Sequence, residues 1–503
     1  LVLAASIPTT LVDAAESDPR FGSATNESLP HATDHVLVKI EPDVAMVSAL
    51  RDHTNVSGRW VEVPVPLGST PGQSLELFAD LEGVDLVELD YLIQLDPIDG
   101  RELGSISDEG GTVAFTPNDE FYPLQWHMPK IQAEQAWDIS KGDGAVVAVI
   151  DTGVSHGGDD LDCHTFVSPF NSVTNTPGSA SDDNGHGTHV AGTIAQCTDN
   201  GIGVTGVAHG ATLMPIKVCD SDGSCTWSDV AQGIDWARTH GADVINISLG
   251  GSFGATILEE AVTNALAADI VVAAASGNDG SGSVDFPAAY PGVLAVGALD
   301  FNLDLAYYSQ YGSEQDITAP GGDVTVDLNG DGYFDGVLQE TFDGPTWDYY
   351  FFQGTSMATP HVAGAAALLR SEEPAASRGQ VEDALTASAM DRGAPGWDPS
   401  FGHGSLRARS ALNYLTAPPT WPAGGAITTH DVTPNAMVLE WPAARDGQGI
   451  DEYRVYRDGA LIDTTGAGQR SLSVSGLQPG TAYQFSVRAF DDLGYQSPLL
   501  EDT

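Results

Sequence analysis

The sequence predicts an α/β protein: a parallel sheet flanked by helices, preceded by a small α+β module and followed by a β-sandwich. Three observations carry this. Between residues 112 and 415 the runs GAVVAVID, ATLMPIKV, ADVINISLG, IVVAAAS and GVLAVGALD are apolar without alternation, and helical runs such as TWSDVAQGIDWARTHG and TILEEAVTNALAAD separate them. Strands of that kind are buried on both faces, as in a parallel sheet with helical covers, where functional groups gather at the carboxyl ends of the strands. Residues 34–97 read strand, helix, strand, helix, strand (HVLVKI, EPDVAMVSALRDH, RWVEVPV, PGQSLELFADLE, VDLVELDYLIQL), a compact α+β unit. After APPTWP the runs VLEW, DEYRVYRDG, SLSVSG and YQFSVRAFD alternate with closely spaced turns, the pattern of a β-sandwich.

In chain order, residues 1–33 carry Pro, Ser, Asp and Glu without periodicity and read as an unstructured leader or the remnant of a trimmed secretory signal. The α+β unit over 34–97 is marginal if left alone. The Gly-rich stretch DPIDGRELGSISDEGG places a linker over 98–115, before the main domain of 116–415. In the last segment, 420–503, LQPGTAYQFSVRA resembles the fibronectin type III pattern. Leu477, Pro479, Gly480 and Tyr483 match its corner, with Trp441 as the expected core tryptophan. That resemblance implies a spacer or attachment module without chemistry of its own.

Charge excludes whole classes of partner. The chain has 19 basic and 70 acidic residues, a net charge of −51, and its lysines are Lys39, Lys130, Lys141 and Lys217. Such a surface repels nucleic acid and anionic membranes. It suits high salt, where screening relieves self-repulsion, and its carboxylates suit calcium, which takes oxygen ligands. No apolar run is long enough to span a bilayer. The cysteines are Cys163, Cys197, Cys219 and Cys225, without a CxxC. Cys219 and Cys225 flank the turn-rich DSDGS and are expected to close a small disulfide, leaving Cys163 for Cys197.

Three segments carry chemistry. VVAVIDTGV places Asp151 at the end of a strand, NGHGTHVAGT places His186 among glycines at a helix start, and GTSMATPHVAG places Ser356 at another helix start. Taken singly, each reads as readily as a turn or cap residue. Together they supply a nucleophile, an imidazole to take its proton and a carboxylate to orient the imidazole. Their separations are too long for local structure, so only a fold brings them together.

These three segments, in this order, resemble the signature segments of the subtilisin family over 116–415. The similarity is strongest to the thermitase-like branch, whose N-terminal segment resembles FTPNDEFYPLQWHMPKIQAEQAWDISKGDGA. The resemblance implies a subtilisin-like fold and serine endopeptidase activity, with Asp151, His186 and Ser356 as triad. It selects His186 over His189, a choice residue chemistry alone leaves open. It matches Asn278 to the oxyanion donor, with the Ser356 backbone N–H as second donor. Ser248, Leu249 and Gly250, and Ser276 and Gly277, match the strand edges that bind an extended peptide. Their small side chains imply a roomy pocket with broad apolar preference at P1, the residue whose carbonyl is attacked.

The same resemblance makes 34–97 a propeptide that assists folding and blocks the cleft until cleaved between Leu95 and Phe115. It implies a secreted, monomeric zymogen acting on proteins and peptides. It implies a calcium site with Asp119, Asp160 and Asn200 as side-chain ligands and the carbonyls of Cys197, Ile202 and Val204 completing the cage. Separately, DLNGDGYFDG fits the first nine positions of an EF-hand-type loop: Asp327, Asn329, Asp331, Tyr333 and Asp335. The expected bidentate Glu is missing, since Leu338 holds its position with Glu340 nearby. Two other readings of the chain are a narrowly specific processing protease and a binding scaffold with an idle triad.

Overall fold

The computed structural model describes residues 19–41, 55–96, 100–102 and 115–501. Its N-terminal unit is an antiparallel sheet with β1 (His35–Ile40) between β2 (Trp60–Pro64) and β3 (Val84–Glu88), packed on α1 (Pro71–Ala79). Helix α1 starts at a capping box in which Thr70 and Gln73 satisfy each other's backbone N–H, with Pro71 in the first turn. The helix expected over EPDVAMVSALRDH falls outside the described residues.

Two short strands follow, β4 (Leu92–Gln94) and β5 (Gly100–Glu102), and then two one-turn helices, α2 (His127–Lys130) and α3 (Ala133–Ala136). The central sheet comprises β6 (Val146–Asp151), β7 (Phe170–Asn171), β8 (Thr176–Pro177), β9 (Thr212–Lys217), β11 (Val244–Ile247), β12 (Val271–Ala275), β13 (Leu294–Leu299) and β14 (Ile317–Pro320). Its order is β14-β13-β12-β11-β6-β9-β7-β8, parallel except for the β7–β8 edge. Within β6, Val147 and Val149 enter one core cluster while Ala148 and Ile150 enter the other. Both faces are covered, which is why the strands read as unbroken apolar runs. One face carries α4 (His186–Ala195), α7 (Thr355–Glu372), α8 (Arg378–Ala387) and α9 (Ala408–Thr416); the other carries α5 (Trp227–Thr239) and α6 (Thr256–Ala267).

Outside the sheet, β10 (Ser224–Thr226) precedes α5, and a hairpin of β15 (Val337–Asp343) and β16 (Thr346–Phe352) precedes α7. The C-terminal domain stacks β17 (Thr428–Thr433), β18 (Ala436–Glu440) and β21 (Ser471–Ser475) against β19 (Glu452–Arg457), β20 (Ala460–Gly466), β22 (Phe485–Phe490) and β23 (Leu500–Glu501). Trp441 and Leu477 lie in its core, and the Tyr483 hydroxyl accepts from the Gln478 N–H at 2.9 Å. The disulfides join Cys163 to Cys197 and Cys219 to Cys225.

Three expectations are corrected. The leader is not structureless over 19–32: Gly22 N donates to Val87 O, Leu89 N to Ala24 O and Leu92 N to Pro30 O. These bonds line the leader along the free edge of β3 and on to the start of β4, which the sequence of the leader alone cannot show. VDLVELDYLIQL is not one strand but two, because the chain leaves the first sheet at Leu89 and β4 pairs with β10 instead. The turn carries two buried carboxylates. Glu88 accepts from Thr256 N and Ile257 N, at the start of α6, and Asp90 from Ser228 N at the start of α5. Part of the linker is also ordered, since β5 pairs with β16.

Candidate active site

Asp151 ends β6 at the carboxyl edge of the sheet, fully buried. Its Oδ1 accepts from Thr152 N at 2.7 Å and from His186 Nδ1 at 2.7 Å. That bond fixes the tautomer, leaving Nε2 of the neutral ring as the proton acceptor. A methyl on Gly187 would lie 2.2 Å from Gly153 O and 3.0 Å from Asp151 Cβ, so only glycine lets α4 come this close. Asp182, which the sequence reading passed over, organises the same corner. Its carboxylate accepts from Thr152 Oγ1, Asn184 N, Gly185 N, Thr188 N and Thr188 Oγ1, capping α4. An Asp four residues before the histidine was the available signal.

Burial opposes charging of His186, but the carboxylates of Asp151, Asp182 and Asp96 outweigh it and raise its pKa above the ordinary 6.5. His189 is placed otherwise. Its Nε2 lies 3.0 Å from Val337 O and 3.1 Å from Tyr350 O, its ring stacks on Phe352, and burial lowers its pKa to about 3. It is a neutral structural residue.

Ser356 sits in the first turn of α7, after Gly354 at φ 147, and its side chain caps nothing. Its Oγ donates to Ser248 O at 2.9 Å rather than to His186. Pro360, four residues on, has no N–H to give the Ser356 carbonyl, and the Ser248 hydroxyl donates to it instead at 2.8 Å. This explains the proline in SMATP: it frees the carbonyl that locks the serine turn against the 248–251 strand edge.

Asn278 is aimed in the same way. Its Oδ1 accepts from Thr355 N at 2.9 Å and Thr355 Oγ1 at 2.8 Å, which turns Nδ2 into the cleft. There it donates to Asp96 Oδ2 at 2.7 Å. Asp96 belongs to the tail of the N-terminal module. Gln94, Leu95 and Asp96 line both the hollow containing His186 and the one containing Ser356 and Asn278. The tail pairs along β10, with Ser224 opposite Gln94 and Leu95 N donating to Gly223 O at 2.9 Å. The segment 223–226 is thus a cleft wall that the sequence reading missed, pinned by Cys219–Cys225. The opposite wall holds Leu249, Gly250 and Gly277, and Ser276 lies fully buried behind it.

The expected calcium ligands gather around the loop 197–204. Asp119 accepts from Asp199 N and Asn200 N, and Asp160 from Val204 N and the Asn200 side-chain amide. Burial raises both carboxyls, Asp160 to about 7. The side-chain oxygen of Asn200 accepts from Ile202 N, which leaves its second lone pair for a cation. Around 327–335, Asp327 accepts from Gly330 N and Gly332 N, Asn329 from Asp331 N, and Asp331 from Tyr333 N. Asp335 is fully buried, with one oxygen on Leu328 N and the other without a partner among the described residues. Glu340 does not join this loop: it accepts from Asp159 N and Asp160 N, beside the other set.

An imidazole tied to a buried carboxylate, and a helix-start serine and an amide in the neighbouring hollow lined by the same peptide tail, are the equipment of a serine hydrolase. Residues 142–404 match the model of the subtilase family, and 418–501 match the fibronectin type III domain. Subtilisin Savinase of Lederbergia lenta is 41% identical over 291 residues, 57% of this chain and 98% of that one. Thermitase of Thermoactinomyces vulgaris is 39% identical over 303 residues, 60% of this chain and all of its own. A solved protease structure from Pseudoalteromonas arctica PAMC 21717 superposes with a TM-score of 0.55 at 34% identity, covering 60% of this chain and 100% of that one. The chain belongs to the subtilase family, and it is a serine endopeptidase. No helix among the described residues is long and apolar enough to cross a membrane.

Proposed function

We propose that the protein is a secreted endopeptidase made as a self-processing zymogen. Ser356 Oγ attacks the scissile carbonyl, His186 Nε2 takes its proton and returns it to the leaving amine, and Asp151 holds the imidazole tautomer. Asn278 Nδ2 and the Ser356 N–H, in the first turn of α7 where no intrahelical acceptor exists, receive the oxyanion. The observation that carries this reading is the Asp151–His186 bond of 2.7 Å together with the Asn278 amide, held open by Thr355 and met by the chain's own tail. A carboxylate on the oxyanion donor and a tail paired with the cleft wall fit an inhibitory propeptide. Calcium fits the buried, all-oxygen set at Asp119 and Asp160 and the 327–335 loop, where it stabilises the fold and takes no part in the chemistry.

The test is the intact mass of wild type and Ser356→Ala, each held with calcium and salt. Wild type is expected to lose about a hundred N-terminal residues, the length of chain up to the linker, while the variant stays whole. Processing of both sinks self-cleavage. Chelation is expected to lower the Tm of the processed enzyme, and an unchanged Tm removes the calcium reading.

A further inference from the structure

The pocket beside Ser356 carries a charge that its small walls do not announce. A cleft of ≈ 440 Å³ opens there, bounded by 249–251 on one side and 275–278 on the other. The segment 285–286 ties the two walls together. Asp285 N donates to Ser276 O at 2.9 Å, Phe286 N to Gly251 O at 2.9 Å, and Gly251 N to Phe286 O at 3.0 Å. These bonds fix the Asp285 side chain between the walls. A methyl added at Gly250 would lie 3.2 Å from its Cβ, and one at Gly277 would lie 2.7 Å from its Oδ2. Both positions are glycine, and the space so kept is where the carboxylate sits.

Asp285 is half-buried and lacks a counter-charge among the described residues. Gln310 Nε2 donates to Oδ1 at 3.1 Å, and no described residue donates to Oδ2. The Gln310 amide is itself held, its oxygen on Asp279 N at 3.2 Å and its nitrogen on Ser283 O. The charged groups bearing on Asp285 are both carboxylates, Asp279 and Asp96. Burial raises the Asp285 carboxyl to about 6, with Gln310 opposing and those two neighbours adding. It is therefore ionised at neutral pH and above. A partly desolvated anion facing an open substrate pocket is stabilised when the ligand brings the missing cation.

We propose that Asp285 makes this a pocket for a basic side chain, so that the enzyme cleaves after lysine or arginine. This deepens the endopeptidase reading, rests on it, and replaces the apolar P1 preference read from the small wall residues. The methylene stem of such a side chain lies along Leu249, Gly250 and Ala275 while its head reaches Asp285. The tail is a poor occupant by the same logic. Asp96 adds a third carboxylate, so the tail holds the cleft through its backbone pairing with β10 and not through this pocket.

The test uses the processed, calcium-loaded enzyme with its C-terminal domain and fluorogenic peptides that differ only at P1: Arg, Lys, Leu, Phe and Glu. Arg and Lys are expected to give the highest kcat/KM and Glu the lowest. The Arg-to-Leu ratio is expected to fall about 10–100-fold in Asp285→Asn, the size of one lost charged contact. In wild type that ratio should rise with pH through about 6, as Asp285 ionises. If Asp285→Asn does not fold, the wild-type ranking and its pH dependence decide. Leu or Phe as the best P1 residue, or a ratio unchanged in Asp285→Asn, overturns the assignment of Asp285 and leaves the endopeptidase reading standing. No cleavage of any peptide overturns that reading itself.

Discussion

Two modules cover the catalytic domain, one at each end of the chain, and they attach to it in opposite ways. The N-terminal module shares a hydrophobic cluster with α5 and α6, including Trp60, Leu75 and Leu89 on one side and Trp227, Ile257 and Leu258 on the other. Each such side chain contributes about 1.5–3 kcal/mol when fully buried. It also drives Glu88 and Asp90 into the starts of those helices, where a negative group meets free N–H groups and the positive end of the dipole. The C-terminal sandwich keeps its own core. It touches the domain through Leu493, the Tyr414 hydroxyl on Gly447 O at 2.7 Å, and the Tyr495 hydroxyl on Glu373. The first interface completes the domain's own packing; the second tethers a separate body.

The largest expected contrast follows from deletion. A gene starting at residue 115 is expected to give little active enzyme on refolding unless the N-terminal module is supplied in trans. One ending at residue 416 is expected to keep peptide hydrolysis within about twofold, since no described residue of the sandwich lines the cleft. Equal refolding yields for the two truncations would break the comparison.

Next in size is the removal of single contacts. Glu88→Ala or Asp90→Ala is expected to weaken inhibition by the module in trans about 10–100-fold, the range for losing a charged hydrogen-bond acceptor from buried donors. Titration of mature enzyme with each variant module checks this. Tyr495→Phe is the control on the other interface, expected to change Tm by no more than a few degrees.

A pH dependence sharpens the contrast further. His35 is half-buried, which alone would lower its pKa. Its Nε2 lies 3.0 Å from Asp90 and its Nδ1 2.9 Å from Asp34, and with Glu62 these carboxylates raise it to about 9. A raised pKa means that this stabilisation is complete below about 6.5 and is lost as pH rises through about 9. Module stability is therefore expected to decline over that window, by less in His35→Gln, as read by thermal unfolding. A flat profile for wild type would show that the His35–Asp90 contact carries no linkage.

How much of this the sequence held depended on whether the cause was local. NGHGTHVAGT needed glycine for a close approach to Asp151, and SMATP needed a proline to free one carbonyl; both constraints are written within a few residues. Asp182 was within reach too, since it caps the helix that starts four residues later. Glu88 and Asp90 were not, because each reads as the polar position of a strand until the helices it caps are in place. The linker strand β5 has the same explanation: its partner β16 lies far along the chain.

By itself, then, the sequence determined the parallel sheet and the sandwich through periodicity and the Cys219–Cys225 pair through turn chemistry, which left Cys163 for Cys197; the three signature segments were legible as a family resemblance. Only the tertiary structure decided what occupies the cleft and what charge its pocket carries. Asp96 on Asn278, and Asp285 between Gly250 and Gly277, are meetings of distant segments. A carboxylate in a polar loop has no local signature of burial; the fold supplies that by bringing two walls around it and leaving it no cation among the described residues.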